Sequence, residues 1–400
     1  MKKIVFIGIF LCLFSTFFLV KNNFEQKSCF VFQGANLNIE DELAKTITEQ
    51  ISYFDFSELD TSLNEIENKS SFGAETFFEK ISKLISGEYS FEFKDFFTEL
   101  LQTFVIDFKK LVPLLSSILG LALLSNIVGQ FKLKNNKNLG IIVHFVCYCV
   151  IIILVCGSVT SLINLSIKTI NGMRSQMEVV FPIILTLMAS VGNVVSVGIY
   201  KPIMAILSGL IINIFSYVVI PIFLMSFVVS VVGNLSNNVK LNKLSSFLNS
   251  SFKWIIGVVF TIFTGTMMAK GISAGSFDSV SIRTTKFALK TYVPLVGGYL
   301  SDGFNLIMAS SILIKNAVGT AGLLLIFLSI LSPLITILVF KWSLHLLSGL
   351  IEPMIDNKIS SFLFQTSKAI NMLVASILCV CLMYIISIAL LLTSGNAYWG

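Results

Sequence analysis

The sequence predicts an all-α, polytopic helical integral membrane protein with a small N-terminal extracytoplasmic helical segment. Three observations carry this. Of 400 residues, 55% are hydrophobic and 12% charged, where a soluble domain carries roughly 25% charged residues; mean hydropathy is +0.88. The apolar residues gather into runs of about 20, the length that crosses a bilayer. Charge is also divided along the chain. Residues 21–110 hold 17 of the 22 acidic side chains against nine lysines, whereas from Leu111 onward five acidic residues face 17 Lys and Arg. The formal +6 averages an acidic segment with a basic membrane part, so it does not point to nucleic acid as a partner.

Residues 1–20 place Lys2 and Lys3 ahead of the apolar run 4–20, the outline of a signal sequence or N-terminal anchor. No small-x-small site follows it, so both fates stay open. Either way the lysines hold the N-terminus inside and export the next segment. That acidic segment, 21–110, reads as helical. Asn38 is a plausible N-cap with Glu40, Asp41 and Glu42 in the first turn, and Ile39, Leu43, Ile47 and Ile51 form one apolar stripe. A second stripe runs Phe77, Ile81, Leu84, Ile85 and stops at Gly87. Ser90 is placed to cap a third helix, bearing Phe93, Phe96, Phe97, Leu100, Phe104 and Phe108, which enters the first span without a breaker.

The polytopic membrane domain, 111–400, offers seven to eight spans: 111–129, 139–163, 179–200, 203–233, 254–274, 317–340 and 370–393, with 293–315 as a more polar span or a re-entrant element. The run 203–233 is too long for one straight helix, and Pro221 should break or kink it. Basic loops should be cytoplasmic, which places Lys132, Lys134 and Lys137 inside, and Arg283, Lys286 and Lys290 inside as well. Lys240, Lys243 and Lys253 fall outside if 203–233 crosses once and inside if it forms a hairpin, so the side of the C-terminus stays open. Pro182, Asn193 and Pro221 recur as Pro294, Asn305 and Pro333 at an offset of 112, a spacing that would fit a transporter built from repeats.

Little in the sequence speaks for catalysis. The two histidines, His144 and His345, lie in or beside apolar helices, and H-E-x-x-H, G-x-x-x-x-G-K-[ST] and G-x-S-x-G are all absent. Six of the seven cysteines sit in apolar runs, where cysteine acts as a small hydrophobe. The C-x-C pairs Cys147/Cys149 and Cys379/Cys381 diverge on a helix and make no local chelate. Cys29 lacks the small preceding residues of a lipidation site. The expectation is a non-enzyme with no catalytic residue, metal or cofactor.

The polar content of the later half is concentrated between Gly271 and Gly322, and ionisable groups within a membrane normally face a cavity or a partner. The candidate functional residues are Asp278, the basic trio Arg283, Lys286 and Lys290, then Asp302, Asn305, Lys315 and Asn316. The trio is spaced i, i+3, i+7, one side of a helix. It suits a headgroup-binding surface, a partner-binding surface, the mouth of a pore, or a simple cytoplasmic loop. Asp302 and Lys315 would pair with each other or across the bundle, or serve transport directly. Gly271, Gly275, Gly297, Gly298, Gly303, Gly319 and Gly322 would let membrane helices approach closely, in a multi-subunit complex, a homo-oligomer or a transporter.

The stretches Arg283-Thr284-Thr285-Lys286-Phe287, Val293-Pro294-Leu295-Val296-Gly297-Gly298, Ser301-Asp302 and Lys315-Asn316-Ala317-Val318-Gly319 resemble the stage III sporulation protein AE family of endospore-forming bacteria. The overall plan is similar over the full length. The resemblance implies a non-enzymatic, multi-pass subunit of the channel or feeding apparatus between mother cell and forespore, located in the mother-cell membrane around the forespore. The partners it implies are the other stage III A-series proteins, one of them a secretion-type ATPase, and the forespore stage II sporulation protein Q. The missing P-loop agrees with energy coming from another subunit. The alternative is an autonomous secondary transporter or permease.

Overall fold

The computed structural model describes residue 57 and residues 93–130, 137–235, 241–292, 297–353 and 357–394. The signal or anchor, the first two apolar stripes of the acidic segment, Ser90 and Pro294 lie outside the described residues. Every regular element among the described residues is helical: α1 (Phe93–Gln130), α2 (Lys137–Ser190), α3 (Val194–Ile214), a π-helical turn (Phe215–Val219), α4 (Ile220–Leu235), α5 (Asn242–Tyr292), α6 (Gly297–Ile351) and α7 (Asn357–Ser394). Helices close their own backbone hydrogen bonds, which is what an apolar solvent demands. Among the described residues six stretches are long and apolar enough to cross a membrane: Leu100–Ile127, Ile142–Ser190, Val194–Gly233, Lys243–Lys270, Ile307–Ile351 and Lys358–Ser394. With this composition the chain is a multi-pass membrane protein.

Helix boundaries differ from those read in the sequence. Residues 139–163 and 179–200 were expected as separate spans, yet α2 continues unbroken through the polar stretch between them. Arg174 and Glu178 in that stretch form an i,i+4 ion pair at 2.6 Å on the helix surface, which supports helix rather than loop. The break comes at Val191-Gly192-Asn193 instead. Gly192 has φ 93°, and two bonds, Gly192 N–H to the Ala189 carbonyl at 2.9 Å and Asn193 N–H to the Met188 carbonyl at 3.0 Å, form the Schellman pattern that ends a helix. Pro221 does not split its run. The Pro221 ring would press on the carbonyl four residues back, and the chain widens there into the π turn, with the Ile220 N–H reaching the Phe215 carbonyl. Likewise 293–315 is no separate element: from Gly297 it is the first part of the 55-residue α6.

Side-chain contacts fix the register. Between α6 and α7, Ser348 meets Ser360, His345 meets Ser367 and Lys315 meets Leu392, so numbers rise on one helix as they fall on the other. Between α2 and α6, Gln176 meets Ser329 and Ser190 meets Ser311, again antiparallel. Ser125 and His144, bonded at 2.7 Å, lie almost symmetrically about the α1–α2 connection, as in a hairpin. The bundle therefore has two ends. At one, called here the junction end, the α2–α3 turn meets α5, α6 and the end of α7. At the other lie the α1–α2, α4–α5 and α6–α7 connections.

The main core runs through all these helices, with Ile118, Val155, Met188, Phe223, Leu344 and Phe362 among its buried members. Residues assigned by sequence to the exported segment take part. Phe104 packs edge-on to Trp342 with centroids 6.4 Å apart, and Asp107 accepts from Thr336. The expected boundary at 110/111 falls within one continuous helix. The offset-112 matches also lose their basis, because Asn193 sits at a helix break whereas Asn305 lies inside α6.

Candidate functional site

The junction end holds a cluster of six buried polar residues. Asn193, Ser196, Asp278, Ser310, Ser311 and Lys315 are all fully buried. Among the described residues Asp278 and Lys315 are the two ionisable side chains in that class. Each serves the end of a different helix.

Helix α3 begins at Val194 after Asn193, whose side chain makes no capping bond. The cap comes from α5. Asp278 accepts the Val195 N–H at 2.9 Å on Oδ1 and the Ser196 N–H at 3.0 Å on Oδ2. These are the second and third amides of the helix, the pair an N-cap side chain normally satisfies. A carboxylate there also faces the positive end of the helix dipole. Continuity of α5 through 278 makes this possible, since no breaker interrupts Asn242–Tyr292.

Lys315 is the converse. Its Nζ donates to the Leu392 carbonyl at 3.0 Å, in the last turn of α7, where carbonyls have no helical partner and the dipole is negative. The same leucine covers Gly319, one turn along α6. A Cβ on Gly319 would collide with Leu392 Cδ2 and lie 2.9 Å from its Cγ, so a larger residue here would force the Leu392 side chain to move. Gly322, a turn further, lies under Val180 of α2 and Ile388 of α7, with 3.0 Å left between an added Cβ and Val180 Cγ1. The close packing expected of Gly319 and Gly322 is present, and it brings Lys315 to the helix end. Ser190 and Ser311 bond at 3.0 Å, and Val191 packs on Met308, so the α2–α3 turn is tied to α6 as well.

The other predicted residues are placed differently. Arg283 is exposed on α5 beyond the junction. Lys286 and Lys290 lie on the same helix, and Asp302 and Asn305 on the first part of α6; the side chains of these four are outside the described residues. Asp302 and Lys315 cannot pair directly, because 13 residues of one helix separate them by about 20 Å. Asn316 is half-buried, and its Oδ1 is enclosed without a hydrogen-bond partner, as is Ser196 Oγ. Sequence reading missed Leu392 and Ser196, whose contributions are a backbone carbonyl and an amide that any residue type could supply.

Chemically the junction is a pair of trans-acting helix caps. Among the described residues no cluster of three His, Cys, Asp or Glu is arranged to hold a metal. The Ser125–His144 contact joins a hydroxyl to an imidazole between α1 and α2, and the enclosed His144 Nε2 has no hydrogen-bond partner. The five described cysteines are free thiols.

Residues 76–395 match the protein family described as stage III sporulation protein AE. The chain is 28% identical over 258 residues to the stage III sporulation protein AE of Bacillus subtilis (strain 168), an alignment that spans 64% of this chain and 64% of that relative. No solved structure matches.

Proposed function

The chain belongs to the stage III sporulation protein AE family, and on that premise we propose that it is a non-enzymatic membrane subunit of a channel or feeding apparatus between mother cell and forespore. The observation that carries this reading is the family match over residues 76–395, which covers every described helix. Its site would be the mother-cell membrane around the forespore. Its partners would be the other stage III A-series proteins, with a secretion-type ATPase supplying energy, and the stage II sporulation protein Q on the forespore side.

The geometry supports a scaffold over a self-sufficient permease. A permease should spend buried ionisable groups on a substrate or coupling ion near mid-membrane. Here Asp278 and Lys315 are engaged by helix ends, and the repeat that favoured a permease lacks matching local structure. The test is a clean deletion in the spore-forming host, scored for forespore development and late forespore gene expression. Arrest after engulfment, restored by the wild-type copy, is the expected result. Normal sporulation would discard the reading, and solute transport by the purified chain alone in liposomes would replace it with the permease.

A further inference from the structure

Two helices run on past the junction end. Asp278 of α5 is bonded to the α2–α3 turn, and Met308 of α6 packs on Val191 of the same turn. Beyond those contacts α5 continues to Tyr292 and α6 begins at Gly297. Past those contacts lie the 14 residues 279–292 of α5 and the 11 residues 297–307 of α6, called here the arm, about 21 Å and 17 Å of helix respectively. Val280, Arg283, Thr284 and Phe287 are exposed on it. Arg283, Lys286 and Lys290 recur at i, i+3 and i+7, one face of α5.

The helix count decides which side the arm is on. Because α2 is one helix, a chain leaving the α1–α2 connection reaches the junction end by α2, returns by α3–α4, and comes back by α5. The connections holding Lys132, Lys134, Lys137 and Lys240, and Lys243 beside them, then share one end, as cytoplasmic lysines should. The sequence had left this open, with Lys240, Lys243 and Lys253 outside if 203–233 crossed once and inside if it formed a hairpin. The same helix count also moves Arg283, Lys286 and Lys290 to the opposite side. Helix α1 ends beside those cytoplasmic lysines, so its first residue, Phe93, points toward the arm's side, to which Lys2 and Lys3 direct residues 21–92. That segment carries 14 acidic residues against six lysines.

We propose that the arm lies outside the cytoplasm and that its basic α5 face docks the chain's own acidic segment, residues 21–92. Opposite charge, a shared side of the membrane and a 72-residue tether all act together. A tether makes the encounter intramolecular, so the docking needs no concentrated partner. The inference rests on the helix count and the charges, and it holds or falls independently of the sporulation role.

The experiment uses the full chain expressed alone in bacterial cells. In a cysteine-free version, Thr284→Cys is exposed to a membrane-impermeant maleimide on intact protoplasts. Labelling without lysis is expected, and labelling only after lysis overturns the placement. Zero-length carbodiimide crosslinking of the wild-type chain should then join Lys286 or Lys290 to carboxylates between Glu25 and Glu92. The yield should fall several-fold in Arg283→Glu, which keeps both reactive lysines, and again between about 0.1 M and about 1 M salt, where the screening length drops from about 10 Å to about 3 Å. Unchanged Thr284→Cys labelling in the Arg283→Glu background checks that the variant still inserts. Crosslinks only to another protein or to phospholipid, a yield that ignores charge and salt, or no crosslinks at all would each overturn the docking.

Discussion

The two ends of the bundle are held by different chemistry. At the junction end, ionisable side chains reach across to helix termini: Asp278 to the first amides of α3 and Lys315 to a last-turn carbonyl of α7. At the opposite end, bonds between neutral groups link the helices. Ser360 donates to the Ser348 carbonyl at 2.9 Å, Tyr148 donates to the Val231 carbonyl at 3.2 Å, and Phe362 packs between the rings of Tyr148 and Phe227. Helices stop inside the packed core at both ends, since Ile351 and Ile359 beside the α6–α7 connection are also fully buried, and there the Ser360 hydroxyl meets a last-turn carbonyl of α6. At the junction end α3 starts and α7 finishes inside the packed bundle, leaving backbone groups that need partners where water is excluded. Tyr148 and Phe362 lie within their helices, whose backbone is already bonded, so there a hydroxyl or a ring edge suffices.

This contrast can be broken from either side. The largest effect is expected from Lys315→Ala, which removes a buried side chain and leaves the Leu392 carbonyl without its donor. A cavity and an unsatisfied carbonyl together should cost about 3 kcal/mol or more, read as a lower unfolding midpoint in detergent and as lost spore yield. Lys315→Met restores volume without the donor, so recovery to wild type would show that packing alone matters and would sink the capping account. Gly319→Val comes next, at about 1–3 kcal/mol from overpacking against Leu392. Pairing it with Leu392→Ala should recover much of the loss, and strictly additive defects would mean the two residues do not share that space.

Asp278→Ala should cost about 1–2 kcal/mol, as loss of an N-cap does, while Asp278→Asn keeps an acceptor and should cost less. Amide exchange at Val195 and Ser196 is the direct measurement, and equal protection in both variants would contradict the assignment. The smallest effect is expected at the far end. Ser360→Ala removes one neutral hydrogen bond, about 1 kcal/mol, and should leave proteolysis at the α2–α3 turn unchanged. A defect at that turn would mean the two ends are coupled and the comparison fails.

Much of this arrangement was legible in the sequence, in unequal measure. Helical class, membrane character and the polar concentration between Gly271 and Gly322 followed from composition and run length. The sequence also singled out Asp278, Lys315 and the glycines around them as unusual for a membrane helix. It left Lys315 to pair with Asp302, to pair across the bundle or to serve transport, because the neighbouring helix could not be read from the chain. It divided α2 in two, because Lys168, Arg174 and Glu178 resemble a loop when their helical pairing is unseen.

The sequence by itself determined that this chain folds as helices in a membrane, since its shortage of charge leaves no other solvent and that solvent tolerates no unbonded backbone. It also determined the acidic-to-basic division that underlies the proposed docking. Only the tertiary structure decided which helices are continuous, and hence which charges share an end, because one unbroken helix in place of two spans reverses everything after it. Only the tertiary structure decided the partners of Asp278 and Lys315, because those partners are main-chain groups, present in every residue and selected by where the helices end.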